Sequence, residues 1–406
     1  MTSFSGATPR HSCRHEWLVP LAAIFLLGAW GNASLFPEEQ IVLNVTNPTS
    51  IAREEVIAIQ LKDVLQRLPT SNPHKIRVEA SPGNQELLTQ IFHSVAGDPA
   101  DRLLVLVRIA AKQRIQLRFF LSNSPTAQKP LVYGRAVPER KDDFAWENDK
   151  VAYRVYGPAL QATGEISSGI DVWSKRVSDL VINDWYAKDA EGQRTKNREL
   201  TYHKDTGQGL DSYDVGPTRG CGGTAIQSDG KFFVAKNYAQ AEILAAGPIR
   251  FQFRLHYAAW PVGDLQVSEE KLITLDAGTH MNQIQSTFSF EGAPSVQASI
   301  GLATHAHAET AARPEEGILS VWEPLTDASA GMDGTGIVLP AGIAATTTQA
   351  GGSVYFVLNA KPNVAVVYYA GAGWSKSDVS DQAAWQTYLK DLSLSLQHPL
   401  QMSWDH

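Results

Sequence analysis

Residues 249–257 read IRFQFRLHY. Ile249, Phe251, Phe253, Leu255 and Tyr257 alternate with Arg250, Gln252, Arg254 and His256. A period of two places the first set on one side of an extended chain and the second on the other, which predicts a strand with one buried and one wet face. RIQLRFF (114–120) repeats the pattern. LLVLVRI (103–109), VAYRVYG (151–157), KLITLD (271–276), SVQASIGLATHA (295–306), SVYFVLN (353–359) and NVAVVYY (363–369) add further strand-length runs between clusters of Gly, Pro, Asn and Asp. Strands at that density predict a mainly β chain of large, sandwiched antiparallel sheets. Few helices are expected. DQAAWQTYLKDL (381–392) places Ala384, Trp385, Tyr388, Leu389 and Leu392 on one helical face behind Ser380 as N-cap. IAREEVIAIQLKDVLQRL (51–68) reads as a strand followed by a short helix.

The chain has 406 residues, 43% of them hydrophobic and 19% charged, enough to bury a large core. Its formal net charge is -7 and no basic block interrupts it, so nucleic acid is not an expected partner. Near the start, Arg10 and Arg14 precede the apolar run LVPLAAIFLLGAW (18–30) and the small residues GNAS, the layout of a signal peptide. As a helix that run would rise only about 20 Å, short of a hydrocarbon core, so no stable membrane span is expected. Cleavage near Ala33 would deliver the protein to the periplasm or beyond the cell, removing Cys13 and leaving Cys221 without a disulfide partner. Flanked by glycines and lacking a protease signature, Cys221 reads as a small buried side chain. The loop SNSPTAQKP (122–130) marks a seam between an N-terminal β-rich portion (34–130) and the remainder (131–406) of a single domain.

Chemistry concentrates in YHKDTGQGLDSYDVGPTRGCGG (202–223). Its glycines allow a loop that gathers His203, Asp205, Asp211, Tyr213 and Arg219, while the order of glycines matches neither a dinucleotide fingerprint nor a phosphate loop. Upstream, residues 133–160 supply Arg135, Glu139, Arg140, Asp142, Asp143, Trp146 and Glu147, the aromatic and charged types that a sugar site uses, or a solvated run before a strand. THAHAE (304–309) would place His305 and His307 on one face of a strand, able to share a divalent metal if His203 or Glu309 joined them. No nucleophile elbow, HExxH pair or Walker lysine is present.

The ordered blocks YGR (133–135), ERKDDFAWEND (139–149), YGPALQATGE (156–165), GIDVWSKR (169–176), the 202–223 segment, AAGPIRFQF (245–253) and YYAGAGWSKS (368–377) resemble a bacterial domain-of-unknown-function family encoded among polysaccharide-utilisation genes. The resemblance implies a galactose-mutarotase-like β-supersandwich. It also implies an exported enzyme that removes water from a non-reducing-end glucuronate or iduronate of an oligosaccharide, leaving a 4,5-unsaturated sugar. Such a reaction needs a group to neutralise the carboxylate, a base for the C5 proton and an acid for the 4-hydroxyl. Arg219 or Arg135 would clamp the carboxylate, His203 would be the base with Asp205 or Asp211 fixing its tautomer, and Tyr213 or Tyr202 the acid. His305 and His307 could replace these or hold a metal. Arg140, Trp146, Glu147, Trp173 and Lys175 complete the expected substrate contacts. A polysaccharide lyase would use the same groups. An aldose-mutarotase-like isomerase is suggested by fold alone, and a non-catalytic carbohydrate-binding protein would require Trp146, Trp173 and Trp185 to line a groove.

Overall fold

The computed structural model describes residues 40–95, 97–124 and 128–405; the expected signal segment (1–33) and the centre of the 122–130 loop lie outside them. The described strands form five sheets, one of eight strands, three of five and one of three, and their strand pairings are antiparallel. The chain is thus mainly β.

The opening stretch lies in the thirteen-residue strand Arg250–Val262 of the eight-stranded sheet. Phe251, Phe253, Leu255 and Tyr257 are buried while Arg250, Gln252, Arg254 and His256 are half-buried, as the alternation predicts. A register shift between Tyr257 and Trp260 returns Trp260 to the buried face three positions later, the effect of a bulge. The main core joins this face to two five-stranded sheets, through Phe144 and Trp146 of one and Ile300 and Phe356 of the other.

LLVLVRI is apolar apart from the exposed Arg108 because its strand, Arg102–Ile109, is covered on both sides over most of its length. Leu104 and Leu106 enter the main core, whereas Leu103, Val105, Val107 and Ile109 enter a second core with Leu43, Ile57, Val64 and Phe119. This strand therefore ties the N-terminal sheets to the sandwich. The C-terminal strand Gln401–Trp404 returns to pair with Ile41–Thr46, stacking Trp404 near Phe119 at 5.4 Å.

Four α-helices occur among the described residues: α1 (Leu61–Arg67), α2 (Pro158–Gln161), α3 (Ile182–Thr195) and α4 (Gln382–Gln397). The strand-then-helix reading of 51–68 holds, with Arg53–Gln60 leading into α1. In α4, Trp385 and Leu389 are buried against Ile318, Trp322 and Val338, on the face the sequence indicates. Its cap is Asp381, not Ser380: the Asp381 carboxylate accepts the Ala384 N–H at 2.9 Å, satisfying a donor at the helix start. None of these helices is long and apolar enough to cross a membrane.

THAHAE departs from its expected strand. The strand Val296–Ala303 ends before it, and residues 304–308 turn, with His307 at φ 64° and exposed. In a turn the i, i+2 rule of a strand no longer puts His305 and His307 side by side.

Asp381→Ala should lower the urea midpoint of unfolding, while Ser380→Ala should leave it unchanged.

Candidate functional site

The site is built on a five-stranded sheet running Gly209–Leu210, Asp171–Lys175, Val151–Val155, Asp143–Asn148 and Val132–Val137. One face sends Phe144, Trp146, Val151, Tyr153, Val155 and Val172 into the main core. Period-two alternation then commits the other face to Asp143, Ala145, Glu147, Ala152, Arg154, Asp171, Trp173 and Lys175. That face is buried too, covered by Trp185 and Tyr186 of α3 and by Tyr202. Charges in the middle of three neighbouring strands must therefore find partners among themselves.

Arg154 is the centre. Asp171 stands directly opposite it across the strand pair, and Asp143 is diagonal to it, two residues from its partner Ala145. The Arg154 Nε and Nη2 donate to Asp171 Oδ2 at 2.9 and 2.5 Å, and Nη2 also donates to Asp211 Oδ2 at 2.9 Å. Asp143 Oδ2 lies 3.8 Å from Nη1. The Tyr202 and Tyr156 hydroxyls accept from the same guanidinium at 3.4 and 3.5 Å, and its plane lies over Trp173, 5.2 Å from the ring centroid. Arg140 reaches the Tyr202 hydroxyl from the other side and is close enough to Asp143 to attract it.

Three carboxylates face two guanidinium groups, so full ionisation would leave a negative charge buried. Burial pushes the Asp143 carboxyl up to about 6, against the pull of Arg154 and Arg140. Burial also raises Asp171 and Asp211, and their mutual repulsion raises Asp171 further. Burial and mutual repulsion thus keep protons on the cluster to a higher pH than exposed aspartates would, a property of proton-transferring sites. Asp143 Oδ1 is buried without a hydrogen-bond partner among the described residues.

His203 stands at the lip, its side chain 55% exposed and its ring 4.5 Å from that of Tyr202. Its Nδ1 meets the backbone oxygen of Asp211 at 2.9 Å and the Asp211 carboxylate at 3.6 Å. A carbonyl can only accept, so Nδ1 carries a proton, and in the neutral form of the ring the lone pair sits on Nε2. Two tight backbone approaches hold this geometry. A Cβ on Gly209 would lie 2.0 Å from the Ser174 oxygen, and one on Gly157 1.7 Å from that of Asp142. Beside Gly157, Lys141 and Asp142 both take positive φ (55° and 60°), and Tyr238 donates to the Asp142 oxygen at 2.6 Å, fixing the turn that carries Arg140.

The 202–223 segment thus supplies Tyr202, His203 and Asp211 to one cluster and divides the rest. Arg219 is fully buried, donating from Nη1 to Ser168 at 2.8 Å and from Nη2 to the Pro217 oxygen at 2.9 Å. Its electrostatic neighbours are Tyr355, Tyr257 and Glu269, so it shares no partner with His203. Tyr213 is buried with its hydroxyl unpartnered, edge-on to His305 at 5.6 Å. His305 bridges Glu323 Oε1 at 2.7 Å and the Asp214 oxygen at 2.6 Å, and Glu323 raises its pKa. It pins the loop to the sheet edge. Asp205 pairs with Arg176 and accepts the Gly207 N–H at 2.9 Å. No group of three or more His, Cys, Asp or Glu among the described residues is placed to hold a metal ion, and His307 is exposed in its turn.

Several expected substrate contacts are interior instead. Trp146 is fully buried, stacked on Tyr153 at 5.5 Å, with its indole N–H donated to Asn282. Trp173 is sandwiched between Trp185 at 5.6 Å and Tyr202 at 5.0 Å. All three tryptophans are buried; Trp185 alone of them borders a cavity, a small one of about 180 Å³ shared with Tyr202 and Gly209, so the three do not together line a groove. Glu147 accepts the Val181 and Ile182 N–H groups at 2.9 and 2.8 Å, capping α3 from a neighbouring strand, and binds Lys175 Nζ at 2.6 Å. Burial lowers the Lys175 pKa. Arg135 bonds Asn183 and Glu139 at 2.8 and 2.6 Å on the outer side of α3. Cys221 is buried, and burial raises its thiol pKa. Arg154, Asp171, Tyr156 and Tyr186 escaped the sequence reading. Their mark was a lone charge in each of VAYRV and IDVW, at positions whose parity is buried.

A carboxyl raised from about 4 in the unfolded chain to about 6 in the fold contributes stability that is complete below the lower value and is lost as pH rises through the higher one. Wild-type stability relative to Asp143→Asn should therefore fall between pH 4 and pH 7 in urea unfolding. A difference constant across that window would contradict the burial of an ionisable Asp143.

Comparison with known proteins places the chain. The family described as a domain of unknown function, DUF4861, matches residues 45–402. Uncharacterized protein P7 of Formosa agariphila is 36% identical over 286 residues, 67% of this chain and 69% of that protein. Among solved structures, a protein in the glycosyl hydrolase family 38 from Enterococcus faecalis matches with a TM-score of 0.50 at 10% identity, over 91% of this chain and 48% of its own. An α-mannosidase from Enterococcus faecalis V583 matches with a TM-score of 0.49 at 10% identity, over 91% of this chain and 46% of its own. This chain spans about half the length of those two solved structures. The fold therefore distantly resembles that of a carbohydrate-active protein, and the chain belongs to the DUF4861 family.

Proposed function

We propose that the protein is a carbohydrate-active enzyme that removes water from a non-reducing-end glucuronate or iduronate of an oligosaccharide, giving a 4,5-unsaturated uronate. One observation carries the reading: an exposed imidazole stands beside a tyrosine whose hydroxyl is held by two guanidinium groups, over a carboxylate cluster whose burial raises its affinity for protons. The distant likeness to a glycosyl hydrolase family 38 protein supports a sugar substrate, and the sandwich is read as galactose-mutarotase-like on the same footing.

The roles follow from position. Arg140, half-buried beside Tyr202 and Asp143, takes the sugar carboxylate and stabilises the charge that grows on it as the C5–H bond breaks. Arg219 is less suited, because its guanidinium is already held by Ser168 and the Pro217 oxygen. His203 Nε2 accepts the C5 proton, and the electron pair of that bond forms the C4–C5 double bond. The C4–O4 bond breaks with its electrons on oxygen, and Tyr202 delivers the proton that lets the group leave as water. Arg154 and Arg140 stabilise the resulting phenolate, which recovers a proton from the aspartate cluster. Asp211 holds the His203 tautomer through its backbone oxygen. Tyr213 and His305 position the loop. The protein would act outside the cytoplasm, where uronate polysaccharides are met.

Incubation with uronate-capped oligosaccharides should build the ultraviolet absorbance of a carbon–carbon double bond conjugated to a carboxylate. His203→Ala, Tyr202→Phe and Arg140→Ala should each slow its appearance by about 10²- to 10⁴-fold without unfolding the protein. Unchanged rates in all three would remove the Arg154 cluster from the reaction.

A further inference from the structure

A second concavity lies where the start of the strand Arg53–Gln60 passes α4 and the strands Leu265–Asp276 and Met281–Ser289. It is a cleft of about 550 Å³ and shares no residue with the Arg154 cluster. That volume falls in the range of small-molecule sites.

Its cations are already engaged. Arg250 forms a two-bond pair with Asp276, both contacts 2.6 Å. Arg53 donates to Glu55 at 3.0 and 2.6 Å, and Lys150 to Asp378 at 2.7 Å, whose other oxygen lies 3.0 Å from His280 Nε2. Five carboxylates against three Arg and Lys side chains line the cleft. An anionic ligand would have to strip a carboxylate from its partner and enter a field of the same sign. An ammonium ligand would meet the three engaged cations on the same walls.

The polar groups left over are of two kinds. The Tyr369 hydroxyl accepts from Gln283 Nε2 at 2.7 Å and retains its own proton to donate. Asp391, half-buried on α4, has no hydrogen-bond or ion-pair partner among the described residues and can accept. Between them the Tyr388 ring, stacked on Trp385 at 5.4 Å and 6°, adds an aromatic wall. A hydroxyl both donates and accepts, and a sugar ring offers a C–H face to an aromatic side chain.

We propose that this cleft binds an uncharged, hydroxyl-rich ligand, a neutral stretch of oligosaccharide, separately from the Arg154 cluster. The test is isothermal titration of the full chain with uncharged tetrasaccharides of glucose, xylose, mannose and rhamnose. Glucuronate-ended and glucosamine tetrasaccharides serve as the charged probes. Ala52→Trp, at an exposed lining position, fills the mouth, and Tyr369→Phe removes the free donor while keeping the ring. At least one uncharged probe should bind, about tenfold more weakly to Ala52→Trp and more weakly to Tyr369→Phe, with unchanged thermal midpoints in both. Binding by no uncharged probe, or binding indifferent to both substitutions, would overturn the proposal. So would tighter binding of the charged probes, or loss of neutral binding in Arg140→Ala, which lies outside the cleft.

Discussion

Arg154 is buried on a sheet face against three buried aspartates, while Lys175 on the same face is taken up by Glu147, and the arrangement of the surrounding chain answers to that fact. A buried guanidinium left alone would cost several kcal/mol, and three buried carboxylates left alone would cost more. Together they are tolerable only if the geometry is fixed and one proton stays behind. Strand pairing fixes Asp171 opposite Arg154, the short strand Gly209–Leu210 leads directly into Asp211, and α3 closes the layer above. A cluster held this tightly is a preorganised electrostatic environment, which is what charge-developing chemistry requires.

The supporting parts explain residues that at first suggest substrate contact. Glu147 caps α3 from across the sheet, and Lys175 neutralises Glu147. These two carry the helix that roofs Arg154. Trp173 is pressed between Trp185, Tyr202 and the guanidinium, so its role is to hold the cluster dry. The segment 202–211, closed by the Asp211 N–H donating to the Tyr202 oxygen, then holds His203 exposed beside the cluster. The proposed chemistry at His203 would rest on the packing beneath it.

Much of this architecture was legible in the alternation of residues. IRFQFRLHY, RIQLRFF and KLITLD are strands because their apolar positions recur at the period of a pleat, and Trp385 and Leu389 face the core because theirs recur at the period of a helix. Helix α3 was less visible, since its N-terminal cap comes from Glu147, thirty-five positions from Ile182, and no local capping residue announces it. THAHA was read as strand because nothing local marked the turn that begins after Ala303. The loop residues Tyr202, His203 and Asp211 were found because glycines and ionisable groups crowd together there. Arg154 and Asp171 were not, because their meaning lies in strand register, and register is a long-range property. Arg219 illustrates the converse: an arginine in a chemical-looking loop turned inward to bind its own backbone.

The central claim is that the Arg154 cluster and His203 together take a proton from a sugar carbon and expel the neighbouring hydroxyl. Mass spectrometry of the product from a uronate-capped oligosaccharide tests it most directly. The account predicts a product lighter by one water with every sugar residue retained; a shortened chain would mean that a glycosidic bond had broken, and an unaltered one that no elimination occurs.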